Sequence, residues 1–184
     1  MKKFLALLLL TAACAFSQVE TLNLGSHGQL TLYLLGDWKV NSTNIADQFS
    51  IMIEPAKESA NCSCKIEITF PQSDLYSTKA KLKLRAEADC KQFEEESVEG
   101  KAYARELSLN VPGGYGFVCN FTDSSLRGKP SQPGNFKVVT AGKIRLAPDV
   151  LVDVFIGADA FKDENYQQLL GAIEGMEFKG GRGR

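Results

Sequence analysis

Phe136–Met176, FKVVTAGKIRLAPDVLVDVFIGADAFKDENYQQLLGAIEGM, reads as strand, strand, helix. Val138, Val139, Ile144 and Leu146 lead through Pro148 and Asp149 into Val150–Ile156, a largely apolar run rich in β-branched residues. That run is too short to span a bilayer and has no helical period, so a central strand is expected. After Gly157 the period changes. Tyr166, Leu169, Leu170, Ile173 and Met176 fall on the i, i+3, i+4, i+7 stripe of a helix with one buried face. Asp159 or Asp163 is expected to cap its start and Gly175 to mark its end. A strand buried on both faces and a helix with a single oily stripe cover each other, which predicts a sheet with helix packed on it.

The chain before this stretch repeats the theme. Thr21–Leu24 and Gln29–Leu34 alternate on either side of a Gly25–Gly28 turn, the signature of a hairpin closed at Gly36-Asp37-Trp38. The single Trp38 reads as a core or edge anchor. Asn41–Asn44 reads as a polar loop, Phe49–Glu54 as a strand stopped by Pro55, and Cys64–Phe70 as the most regular alternation in the chain. On that strand Cys62, Cys64, Ile66, Ile68 and Phe70 share a face. A helix opened by Ser77 or Thr78 carries Leu82, Ala86, Cys90 and Phe93 on one side, and frays at Glu94–Glu96, where acid opposes the helix dipole. Lys101–Leu109 and Tyr115–Thr122 flank the Pro-Gly turn at 110–114 as another hairpin. The fold class expected is α+β: an antiparallel sheet built from hairpins, with two main helices packed on it.

Flanking segments set the organisation. Met1-Lys2-Lys3, the apolar Phe4–Leu10 and the small residues of Ala12–Ser17 describe a secretory signal peptide over 1–17, cut after Ala15 or Ser17. A rival reading takes Thr11-Ala12-Ala13-Cys14 as a lipoprotein box with Cys14 acylated, which would tether the domain to a membrane. Residues 18–178 form one domain, and 179–184, a basic, glycine-rich tail, is expected to be disordered. The predicted location is periplasmic or secreted. A net charge of -1 offers no basic face for nucleic acid or an anionic membrane. The triplets at Asn41, Asn61 and Asn120 match glycosylation acceptors, which matter only in a host that glycosylates.

Of five cysteines, Cys14 falls in the leader and leaves Cys62, Cys64, Cys90 and Cys119. In an oxidising compartment an even number predicts two disulfides. From Cys64 the strand advances about 20 Å, and from Ser77 the helix retraces about 20 Å. That return is expected to set Cys90 beside Cys62 and Cys64, with one of the two bridging Cys90 and the other Cys119. No metal is expected, because one C-x-C and two isolated cysteines lack the paired C-x-x-C knuckles of a thiolate site.

Catalytic signals are sparse. His27 is the sole histidine and sits in a Gly-flanked turn; no G-x-S-x-G, P-loop or G-x-G-x-x-G occurs, so neither catalysis nor a cofactor is expected. The longest irregular segment, Asp123–Asn135, is a candidate binding loop. Together with the 110–116 turn it would engage a partner through Tyr115, Arg127 and Phe136. The segments SHGQLTLYLLGDW, YGFVCNFTD and NFKVVTAGKIRLAPDVLVDVFIG, followed by an amphipathic helix, resemble small, functionally uncharacterised bacterial secreted proteins. The order of hairpins and two helices also resembles the Mog1/PsbP-like α/β/α sandwich. That resemblance implies an exported, non-enzymatic accessory or binding module with an unidentified protein or small-molecule partner in the cell envelope. The competing expectations are an envelope hydrolase using carboxylates or His27, and a structural subunit of an envelope complex.

Overall fold

The computed structural model describes residues 18–45, 48–57 and 60–181. Residues 1–17, where the signal peptide and the Cys14 lipoprotein box are expected, and Arg182–Arg184 of the tail lie outside the described residues. Along the described chain run β1 (Gln18–Asn23), β2 (Gly28–Leu34), β3 (Trp38–Ile45), β4 (Gln48–Pro55), β5 (Cys62–Thr69) and α1 (Lys79–Cys90). There follow β6 (Arg105–Glu106), β7 (Tyr115–Thr122), β8 (Val138–Ala147), β9 (Val150–Ala158), α2 (Glu164–Glu174) and β10 (Glu177–Gly180). Strands β3–β9 form a seven-stranded antiparallel sheet in the order β3-β4-β5-β9-β8-β7-β6, and β1, β2 and β10 form a second, three-stranded one.

The apolar run Val150–Ile156 is β9, the middle strand, with β5 on one side and β8 on the other. Val150, Val152, Val154 and Ile156 face the main core, while Leu151, Asp153 and Phe155 face the other way. On the first face α2 lays Tyr166, Leu169, Ala172 and Ile173 into the core beside Leu30, Leu32 and Leu34 of β2. Each such large side chain contributes roughly 1.5–3 kcal/mol when fully buried. A buried polar link runs through that layer, where the Thr140 hydroxyl donates to Asn120 Oδ1 (2.8 Å) and meets the Tyr166 hydroxyl at 2.6 Å. Gly175 ends α2 as expected, its N–H donating to the Gly171 carbonyl. Asp163 precedes the helix, but its carboxylate turns back to accept from Ala160 N at 2.8 Å instead of capping the first turn.

On the opposite face α1, capped by Thr78 Oγ1 accepting from Lys81 N, packs Leu82 and Ala86 onto Tyr115, Phe117 and Leu151. It covers β7 and β8, and among the described residues the same face of β5, β4 and β3 is left open.

Three expectations give way to tertiary pairing. Asn41–Asn44 belongs to edge strand β3, where its backbone pairs with Phe49–Met52 of β4 and its polar side chains stay exposed. Lys101–Leu109 contributes only Arg105–Glu106 to a strand. The tail is ordered further than its composition suggests, with Lys179 opposite Gln29 and Gly180 opposite Gly28 in β10, and with Gly181 N donating to the His27 carbonyl at 3.1 Å. Close backbone approach explains the glycines there, since a Cβ on Gly28, whose φ is +125°, would lie 2.2 Å from the Lys179 carbonyl oxygen.

Candidate functional site

Because α1 covers only half of its face, a cleft of about 490 Å³ opens where the helix ends and the bare sheet begins. Its floor is Lys65 and Glu67 of β5, Lys143 of β8, and Asp153 and Phe155 of β9; Arg85, Asp89 and Phe93 form the helix wall. The volume falls within the range of small-ligand pockets. Strand parity puts these floor residues on one side of the sheet, since Lys65 stands opposite Phe155, Glu67 opposite Asp153, and Lys143 opposite Asp153.

Lys143 is the least exposed charge in the cleft. Its ammonium donates to Asp153 Oδ1 and lies 3.0 Å from Asp89 Oδ2, while Arg85 Nε holds the other Asp89 oxygen at 2.9 Å. Burial pulls the Lys143 pKa down, but the hydrogen bonds and charges of Asp153 and then Asp89 outweigh it, and the net shift is upward. Lys65 pairs with Glu67 at 2.7 Å. The charges of the cleft therefore satisfy one another.

A second hollow, of about 670 Å³, continues across the open face over Lys39, Glu54 and Ser63 to Ser131, Pro133, Gly134 and Phe136. Ser63 and Lys65 lie two apart on β5, so the two hollows share that strand. The 123–135 segment forms its far wall and is tied down. Asn61 Nδ2 donates to the Asn135 carbonyl and to Asp159 Oδ1, both at 3.0 Å, Asn61 Oδ1 accepts from Gly134 N, and Ser131 Oγ donates to Asp159.

The residues singled out for partner contact do not form one surface. Tyr115 is buried at the start of β7, its hydroxyl donating to the Tyr76 carbonyl and accepting from Arg145 Nη1, each at 3.0 Å. Arg127 and Phe136 lie past the other end of β7, a strand of eight residues spanning roughly 23 Å. Arg127 is exposed, whereas the Phe136 ring lies against Gly157, so close that a Cβ there would sit 2.3 Å from it. Gly157→Ala is expected to expel that ring and loosen the loop. Limited trypsin digestion reads the effect as faster cleavage after Arg127 and Lys129; unchanged cleavage would mean the ring is not what holds the segment.

The expected pairing of the cysteines is corrected. No disulfide is seen among Cys62, Cys64, Cys90 and Cys119, and the sheet separates them into two pairs, so that Cys90 does not meet Cys62 or Cys64. Cys62 and Cys64 point into the core under α2, whereas Cys90 and Cys119 lie together on the α1 side with Phe121 and Ala141. Helix α1 does retrace the length of the sheet, but over β7 and β8, so it never brings Cys90 to β5. Among the described residues no group of three or more potential metal-binding side chains is gathered either.

His27 has a partner that its turn gave no hint of. Its Nδ1 lies 2.6 Å from Asp149 Oδ2, and its ring stacks on Phe70 with centroids 3.8 Å apart. The contact joins the β1–β2 turn of the small sheet to the β8–β9 turn of the large one. Sequence reasoning missed it, as it missed the Lys143 cluster, because each contact joins residues far apart in the chain. Compared with protein-family models, curated proteins and solved structures, the chain matches none.

Proposed function

We propose that the chain is an exported, non-catalytic accessory or binding module, periplasmic or secreted, that presents the open half of its large sheet to a protein or small-molecule partner in the cell envelope. The observation that supports this is the mutual pairing of Lys143, Asp89, Asp153 and Arg85 at the head of a ligand-sized cleft. A lysine whose neighbours strengthen its hold on the proton is a poor nucleophile or general base at neutral pH. Such a cluster shapes and polarises a surface without supplying a reactive group. An antiparallel sheet with a helix on each face is also the layering implied by the Mog1/PsbP-like resemblance, which favours a binding role by analogy.

A photo-crosslinking residue at Met52 tests the reading. Met52 stands opposite Lys65 and Asn41, in the middle of the open face, and Leu84, exposed on the far side of α1, serves as the control. Irradiation of the native host's envelope is expected to yield a discrete adduct from Met52 and none from Leu84. Equal labelling at both positions, or recovery of the chain in the cytosol, would remove the proposal.

A hydrolase is the second reading, favoured by Asp149 orienting His27 in the manner of an acid–base pair. Among the described residues Asp149 is the only side chain hydrogen-bonded to His27, so no hydroxyl or thiol is placed as the nucleophile. His27→Ala is expected to leave the rates on ester, glycoside and peptide substrates equal to those of the unaltered chain. An activity abolished by that substitution would promote the hydrolase.

A further inference from the structure

Of the two thiol pairs, one is arranged for bond formation. Cys90 ends α1, and its Sγ lies 3.4 Å from the carbonyl oxygen of Ala141, which stands directly opposite Cys119 in the β7–β8 ladder. Both cysteines are buried in one cluster with Phe121 and Ala141. The neighbouring Cys119 thiol and burial raise the pKa of Cys90, whereas the neighbouring Cys90 thiol lowers that of Cys119. Cys62 and Cys64 are disposed otherwise. They lie two apart on β5, clamped between β9 and, at Cys64, β4, with parallel side chains and Cα atoms about 6.6 Å apart, at the far limit of disulfide geometry. Burial pushes the Cys62 thiol up to about 12 and raises that of Cys64 as well, which leaves little of the reactive thiolate.

We propose that Cys90 and Cys119 form an intramolecular disulfide that fastens the end of α1 to β7, while Cys62 and Cys64 remain thiols. The oxidant is a disulfide donor of the thiol–disulfide exchange class. One of the two thiolates attacks one donor sulfur, forming a mixed disulfide and releasing the first donor thiol; the other cysteine then gives up its proton and attacks the protein sulfur of that mixed disulfide, releasing the second. One S–S bond forms in the protein and one breaks in the donor, which takes up the two protons and two electrons of the protein thiols. Exchange takes place as the chain folds, before α1 covers the pair. Asp89 adjoins Cys90, so the bridge also holds the carboxylate that clamps Lys143 and the Phe93 wall of the cleft. The inference rests on the binding-module reading for its purpose and not for the pairing.

To test it, the chain as recovered from cells is reduced, unfolded and refolded with glutathione disulfide, then alkylated in denaturant and mapped by peptide mass spectrometry. One bridge linking the Cys90 and Cys119 peptides is expected, with Cys62 and Cys64 alkylated. Closing this roughly 30-residue loop is expected to raise Tm by about 10 °C over the reduced protein. A bridge that includes Cys62 or Cys64, an unresolved glutathione adduct, or four free thiols would overturn the proposal. Cell fractionation separates this outcome from the export reading: a chain that stays cytosolic yet bridges Cys90 to Cys119 in the tube sinks export alone, and an exported chain with four thiols sinks the pairing alone.

Discussion

Lys143→Met is expected to destabilise the fold by about 2–3 kcal/mol, a fall in Tm of about 8 °C for a chain of this size. The lysine side chain is 10% exposed, and removing its charge leaves Asp153 without its counter-ion and Asp89 with Arg85 alone. Breaking a fully buried pair from one side costs about 3–5 kcal/mol. Here the aspartates are 33% and 35% exposed, so water recovers part of that loss and the lower figure applies. Two controls identify the cause. Adding Asp89→Asn and Asp153→Asn to Lys143→Met should restore most of the stability, because the uncompensated charges are gone. A pH series of Tm should also bring wild type and Lys143→Met together in alkali. The folded state raises the lysine pKa above its ordinary value, so it binds that proton more tightly than the unfolded chain does. The contribution is complete below about pH 10.4 and is lost as pH climbs through the folded-state value. A variant as stable as wild type at neutral pH would show that the cluster is a surface arrangement of no energetic weight.

Gly142→Ala carries the largest expected effect, about 4 kcal/mol or more, seen as loss of the cooperative unfolding transition or of soluble protein. A Cβ at Gly142 would lie 2.1 Å from the Phe117 carbonyl oxygen and 2.7 Å from the Val118 Cα. Both belong to β7, so relief requires separating two strands that are hydrogen-bonded along eight residue pairs. Gly157→Ala is milder because a side-chain ring, not a backbone, stands in the way. Gly171→Ala is the opposite case, since its Cβ would meet nothing within 4 Å on the outer face of α2, and alanine there is expected to stabilise by about 0.5–1 kcal/mol. Denaturant titration of the three variants should rank them in that order; a Gly142→Ala protein with wild-type stability would mean that β7 and β8 are not so closely paired.

The same two strands tie the fold to the cleft. Lys143 follows Gly142 in β8, and the α1 wall that supplies Asp89 and Arg85 rests on β7 through Tyr115 and Phe117. Slippage of β7 against β8 would move one half of the ion cluster relative to the other. For this reason the Gly142 and Lys143 substitutions are expected to be non-additive in a double-mutant cycle.

Local patterns by themselves determined both helices and the strands β1, β2, β4, β5, β7, β8 and β9, but not β3, β6 or β10. Alternation places Ile66 and Ile68 with Cys62 and Cys64 on one face of β5, the β-branched run of β9 makes it central, and the 3.6 period of Tyr166–Ile173 sets the buried stripe of α2. Which face of the sheet a residue shares with a residue on another element is not a local property. Parity tells that Cys62 and Cys64 lie together, but only the crossover of α1 above β7 and β8 decides that Cys90 meets Cys119 with the whole sheet between the pairs. Lys179 and Gly180 read as tail because a four-residue strand has little burial of its own; the unpaired edge of β2 supplies the hydrogen bonds that order them. The cleft follows the same logic, since Lys143, Asp89 and Asp153 sit on three elements whose proximity is set by strand order. Short-range periodicity is written by steric and hydrophobic preferences of neighbouring residues, whereas strand order and helix crossover are chosen by the burial of surfaces contributed from across the whole chain.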